Sequence, residues 1–268
     1  MLKKELIRSF LSKFKKHLII ISLSSGLLVF FLTVMFPAMD PGSTDAVSSN
    51  WPRLMKDVFG DPLTGFSDIY GWFQLELFHI TFWVIFGIFS SFLASHIIAK
   101  EYENRTIDLI FSLPIKRTTL IINRLISLLL LLFLAVLPTL LGCILGIASL
   151  KLNLNPLPLL AAILNGFLLC LLYAAISLFI SLFTRSQTAS ILISLAVFGF
   201  FFLLSHMIIP IIPALKSFDV ISPFHYYDTA SILIRHSYSL LNPVILFLGF
   251  VVFSSLSCLL LEKKDIIC

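Results

Sequence analysis

Residues Leu125–Leu150 read LISLLLLLFLAVLPTLLGCILGIASL, 26 consecutive positions without Asp, Glu, Lys or Arg. As a helix this run is about 39 Å long at 1.5 Å per residue, more than the roughly 30 Å of a bilayer's hydrocarbon. Five further uncharged windows follow the same rule: Leu18–Met39, Leu77–Ala99, Leu152–Thr184, Ser186–Leu215 and Ser237–Leu261. Backbone groups cannot stay unpaired in lipid, and barrel strands are about half this length and alternate in polarity. The windows therefore predict an all-α polytopic membrane protein with six transmembrane helices. The predicted spans are about 18–39, 73–99, 119–150, 157–184, 187–209 and 241–261. Asn153, Asn155, Pro156 and Pro158 delay the fourth to Leu157, and Pro210 and Pro213 end the fifth.

Composition agrees. Of 268 residues 59% are hydrophobic and 12% charged, against about 25% charged in soluble domains; mean hydropathy is +1.03. Threading the chain through six spans leaves 14 of the 19 Lys and Arg on one side, beginning with Lys3, Lys4, Arg8, Lys13, Lys15 and Lys16 in the first tail. By the positive-inside rule that side is cytoplasmic, so both termini are expected inside, in the cell (plasma) membrane. The net charge of +5 is explained by this topology and by anionic lipid, without nucleic acid. Cys143, Cys170, Cys258 and Cys268 show no CxxC spacing, so neither a disulfide framework nor a metal site is expected. The N-terminal apolar run is too long for a signal-peptide core and is read as retained.

Leu2, Leu6, Phe10, Phe14 and Leu18 recur every four residues among the basic ones, which predicts an interfacial amphipathic helix over 1–17. Outer loops are expected at 40–71 and 210–240. Trp51, Tyr70 and Trp72 read as interface anchors, and the aromatics of Ser222–Tyr227 as a headgroup belt in preference to part of an exit path. Gly142 and Gly146 form a small-xxx-small face that suits close packing within the subunit or across a dimer, with Pro138 as a candidate kink.

The connection between spans two and three, Lys100–Arg117, is too long and too patterned for a turn. At 100° per residue Glu101, Asn104, Arg105, Asp108 and Ser112 share an arc of about 100°, and Ile107, Leu109, Ile110, Phe111 and Leu113 cover the remainder. Pro114 should end this short cytoplasmic helix. Glu103 falls on the apolar side, so it either marks a break before Asn104 or reaches a partner.

Here the chain resembles a known family, the permease subunits of type-2 ABC exporters. The matching residues are Glu101-x-Glu103, Arg105-Thr106, Ile107-Asp108, Leu113-Pro114 and Lys116-Arg117, with Arg105 where Gly is common in the family. The six-span layout, the basic N-terminal helix and the long segment between spans five and six extend the likeness over most of the chain. The resemblance implies a dimer, with this or a related permease as the second copy. It further implies a cytoplasmic ABC ATPase subunit, itself a dimer, docked on a coupling helix at Glu101–Leu113. The contacts it implies are Glu101, Glu103, Asn104, Arg105, Thr106, Asp108, Ser112 and Pro114. ATP and Mg would be held by the partner and no cofactor by this chain, which contains no G-x-x-x-x-G-K-[ST] phosphate loop.

Enzymatic readings find no reacting constellation. A membrane metalloprotease needs His-Glu-x-x-His on one helix, and only Glu76 and His79 come near it. His96, His206 and His225 are isolated in sequence and read as packing residues, so no catalytic or metal-ligating residue is assigned. The alternatives to an exporter permease are an ion- or proton-coupled secondary transporter, which paired intramembrane carboxylates would favour, and a membrane-embedded enzyme or scaffold. Spans without a dedicated charged site suggest an amphipathic or lipid-like cargo.

Overall fold

A computed structural model describes residues 4–38, 68–106 and 117–263. Within them every regular element is helical, and six helices are long and apolar enough to cross a membrane: Ile7–Ala38, Ile69–Ser95, Thr118–Ser149, Leu157–Ser181, Gln187–Ile211 and Leu241–Glu262. The chain is an all-α polytopic membrane protein.

The fourth span is the hub. It packs on the second, third, fifth and sixth, and 72% of its most apolar window is buried, against 17% in the first and fifth spans. Small side chains permit the approach: Ser91 and Ser177 share a 2.9 Å hydroxyl hydrogen bond between the second and fourth spans, and Gly166 lies against the Phe82 ring. The first span instead turns Ile19, Ile20, Leu23, Leu27 and Phe31 outward, a surface stable only in lipid.

The small-residue face packs inside the subunit. A Cβ on Gly146 would stand 2.5 Å from Thr33 Cβ, and one on Gly142 would fall inside contact distance of the Gly26 carbonyl. The third span runs unbroken from Arg117 to Ser149 through Pro138. Proline lacks the N–H that would pair with Leu134 O. Ser22 of the first span donates to that carbonyl instead, at a long 3.4 Å.

Three local expectations are corrected. The separate interfacial helix over 1–17 is the first half of one continuous helix, Lys4–Met35. Two residues of its stripe are covered by protein: Phe10 and Phe14 are buried, and Phe14 meets Phe92 and His96 edge-on at 5.8 and 4.9 Å. Tyr70 and Trp72 are also buried and lie inside the second span, which begins at Ile69. Trp72 Nε1 donates to Leu32 O at 2.8 Å and Tyr70 OH to Asn155 O at 2.8 Å, so they tie the second span to the first and to the connection before the fourth. Trp51 lies outside the described residues. In the segment after the fifth span, Phe224 and Tyr227 are buried, and Tyr227 OH donates to Phe78 O at 2.9 Å; they belong to the bundle and not to a headgroup belt.

Candidate functional site

At the basic end of the bundle the second span stops at Ser95, and a turn through His96–Ile98 leads into a five-residue helix, Ala99–Glu103. Asn104 caps it, and Arg105 takes the left-handed conformation at φ 55°. Arg105 N donates to Tyr102 O and Thr106 N to Glu101 O, both at 3.0 Å. This paired closure is the Schellman motif, in which the left-handed position favours glycine. The third span closes in the same way at Lys151.

The helix therefore ends before Arg105, and the predicted arc of Glu101, Asn104 and Arg105 along one continuous helix is not formed. Glu103 does mark the break, and its carboxylate reaches a neighbouring span. Asp108, Ser112 and Pro114 lie outside the described residues.

Two carboxylates fasten this helix. Glu101 Oε1 accepts from Arg124 Nη2 of the third span at 3.3 Å, and Oε2 accepts from Thr106 Oγ1 at 2.6 Å. Arg124 Nη1 also donates to Ile97 O at 2.6 Å, so one guanidinium holds both the turn and the helix. The pair is largely desolvated, with side-chain exposures of 17% for Arg124 and 13% for Glu101.

Glu103 is more open, at 40%. Its Oε1 accepts from Lys100 Nζ at 3.2 Å, and its Oε2 accepts from the backbone N–H of Gln187, first residue of the fifth span, at 2.8 Å. The preceding Ser186 makes no side-chain cap there. A carboxylate on another helix thus supplies the N-terminal acceptor the fifth span lacks, where the helix dipole also favours negative charge. The Gln187 N–H, and then Lys100, hold the Glu103 carboxyl below the usual carboxylate range.

His96, just past the second span, completes the junction. Gln187 Nε2 lies 2.7 Å from its Nδ1. The same Nδ1 lies 3.3 Å from Phe92 O, so the direction of the Gln187 contact is set by the ring's tautomer. Burial, followed by Lys13 and Lys100, lowers its pKa to about 4. His96 and Gln187 were not among the expected contacts: neither has a sequence signature, and 91 positions separate them.

The junction holds no nucleophile poised against a base, and the described residues hold no group of three His, Cys, Asp or Glu suited to a metal. What it offers is mechanical linkage: Arg124 and Gln187 tie Glu101 and Glu103 of the short helix to the third and fifth spans, and Phe14 of the first span packs on His96 just before it.

The model of the ABC-2 family transporter protein matches residues 10–266 of this chain. The chain belongs to the ABC-2 transporter family. It is accordingly a permease, the multi-pass membrane component of an ABC transporter. No curated relative matches it. In this ABC-2 permease the left-handed φ of Arg105 gives a physical reason for glycine at that position in the resemblance: only glycine adopts the conformation without a steric cost.

Proposed function

We propose that this permease is the membrane subunit of an ATP-driven exporter in the cell membrane, with both termini cytoplasmic. It works as a dimer with this or a related permease and docks on a separate ABC ATPase dimer that holds ATP and Mg. The segment from Glu101 to Leu113 is the coupling element. The observation carrying this reading is the bridge from Glu103 to the N-terminus of the fifth span, which makes the connection after span two a lever on the bundle. Within that element Asn104, Arg105, Asp108 and Ser112 meet the ATPase. Glu101 and Glu103 transmit its movement through Arg124 and Gln187, and Thr106 and Pro114 shape the element.

The test separates docking from transmission. The permease is co-expressed with the ATPase from its native membrane, and co-purification, ATPase activity and transport into inverted vesicles are measured. Arg105→Glu with Asp108→Lys is expected to abolish co-purification. Glu103→Gln, which keeps size but weakens the cap, is expected to keep the ATPase bound and lower transport several-fold per ATP hydrolysed. ATPase association unaffected by the first pair, together with undiminished coupling in the second variant, would sink the proposal.

A further inference from the structure

Three histidines far apart in sequence meet at a cavity at the opposite end of the bundle. His79 comes from the second span, His206 from the fifth, and His225 from the turn after Ser222; all line a cavity of about 390 Å³. The rings of His79 and His206 meet edge to face at 5.2 Å. Asp219 is held in the wall, with Oδ1 accepting from Ser205 Oγ at 2.9 Å and Oδ2 lying 2.7 Å from His225 Nδ1. Asp228 contributes a second carboxylate, and Phe224 and Tyr227 contribute ring surface.

Two further observations distinguish this cavity from a packing defect. Gln74 lines it, and Gln74 Oε1 is buried without a hydrogen-bond partner. A buried acceptor left unpaired is costly, so a ligand bearing a donor would relieve it. Both spans also depart from regular α-helix here: Gln74–Phe78 and Leu204–Ile208 each form a π-helical turn. Such turns re-aim side chains at a cost in regular pairing and cluster at functional sites. These two present Gln74, Ser205 and His206 to the same space.

The lining sets the ligand's charge. It contains two carboxylates and an orphaned acceptor, and neither Lys nor Arg. An anion would find no permanent countercharge. The described residues provide no metal-ligating trio. Aromatic and imidazole faces beside carboxylates suit an organic cation, which gains from both the ring quadrupole and charge-assisted hydrogen bonds. The volume lies within the range of small-molecule sites.

We propose that this cavity binds an ammonium-bearing group, with Asp219 and Asp228 as countercharges, Gln74 Oε1 as a directional acceptor, and the His79 and His206 rings as walls. The group belongs either to a free amine or to an aminolipid headgroup. The site requires neither the ATPase subunit nor the exporter reading.

Ethylammonium is the probe, titrated calorimetrically into the full chain in a neutral detergent, with acetate as an anion of similar size. Wild type is expected to bind ethylammonium saturably and acetate not at all. Asp228 Oδ1 also accepts from Ser231 N at 3.0 Å; Asp219→Asn with Asp228→Asn keeps the shapes and an oxygen for that bond while removing both charges, and should weaken binding at least tenfold. Gln74→Met removes only the orphaned acceptor and should weaken it several-fold. Thermal unfolding accompanies each variant, and if the double variant does not fold, Gln74→Met decides. Binding that never saturates, equal binding of acetate, or affinity unchanged in a folded variant would overturn the proposal. In nanodiscs, ethylammonium affinity that falls as phosphatidylethanolamine replaces phosphatidylcholine identifies the headgroup as the source. Affinity indifferent to that exchange identifies a free amine.

Discussion

Gly142 and Gly199 offer a matched pair of substitutions for the packing of the first span on the third. In Gly142→Ala the new Cβ meets backbone of the first span, with Gly26 C at 3.2 Å and Phe30 N at 3.3 Å in addition to the closer Gly26 oxygen. Backbone cannot rotate away as a side chain can, so the helices must separate by several tenths of an ångström along a contact that also seats Pro138 on Gly26. Overpacking of this kind costs about 1–3 kcal/mol. Replacing Gly by Ala in a helix returns about 1 kcal/mol. Gly142→Ala is thus expected to destabilise by up to roughly 2 kcal/mol, and Gly142→Val by more. At Gly199 of the fifth span nothing lies within 4 Å of the added methyl, so Gly199→Ala keeps the propensity gain and should be neutral to stabilising by up to about 1 kcal/mol. Thermal unfolding of both variants in one detergent measures the contrast, expected as a midpoint several degrees lower for Gly142→Ala. Equal midpoints would refute the close approach of the first and third spans.

Two further outcomes concern the junction. Arg105→Gly removes the strain of a non-glycine residue at φ 55° and should raise the unfolding midpoint, corresponding to about 1 kcal/mol; a lower midpoint would mean that the Arg105 side chain outweighs the strain. The Glu103 carboxyl is held below its ordinary range by Gln187 N–H and Lys100, so its stabilisation is present above the ordinary carboxylate pKa and lost as pH falls through the depressed value. The midpoint difference between wild type and Glu103→Gln should therefore be present at neutral pH and close on acidification, and a gap that persists in acid would contradict the capping role.

The number of spans was legible because lipid imposes a rule on composition alone: a run of about 20 apolar residues must become a helix that satisfies its own backbone. The fourth span's start at Leu157 and the fifth's at Gln187 were legible for the same local reasons, a proline-bearing first turn and a charge at Arg185. The apolar stripe of Phe10 and Phe14 was read correctly as a stripe and wrongly as lipid-facing, because periodicity shows which residues share a face and not what covers that face. Tyr70, Trp72 and Tyr227 misled similarly: aromatic residues near a span's end serve headgroup belts and interhelical hydrogen bonds equally well.

The sequence by itself determined an all-helical, six-span chain with a basic end and a patterned connection after the second span, since length, charge and period act within a few turns of one chain. Only the tertiary structure decided that Glu103 caps the fifth span 84 positions away, that Arg124 ties Glu101 to Ile97, and that His79, His206 and Asp219 line one cavity. Those pairings arise because the small side chains of the second and fourth spans and the glycines between the first and third let helix axes approach. Which distant residues then come within hydrogen-bond reach is fixed by that packing and by no local pattern.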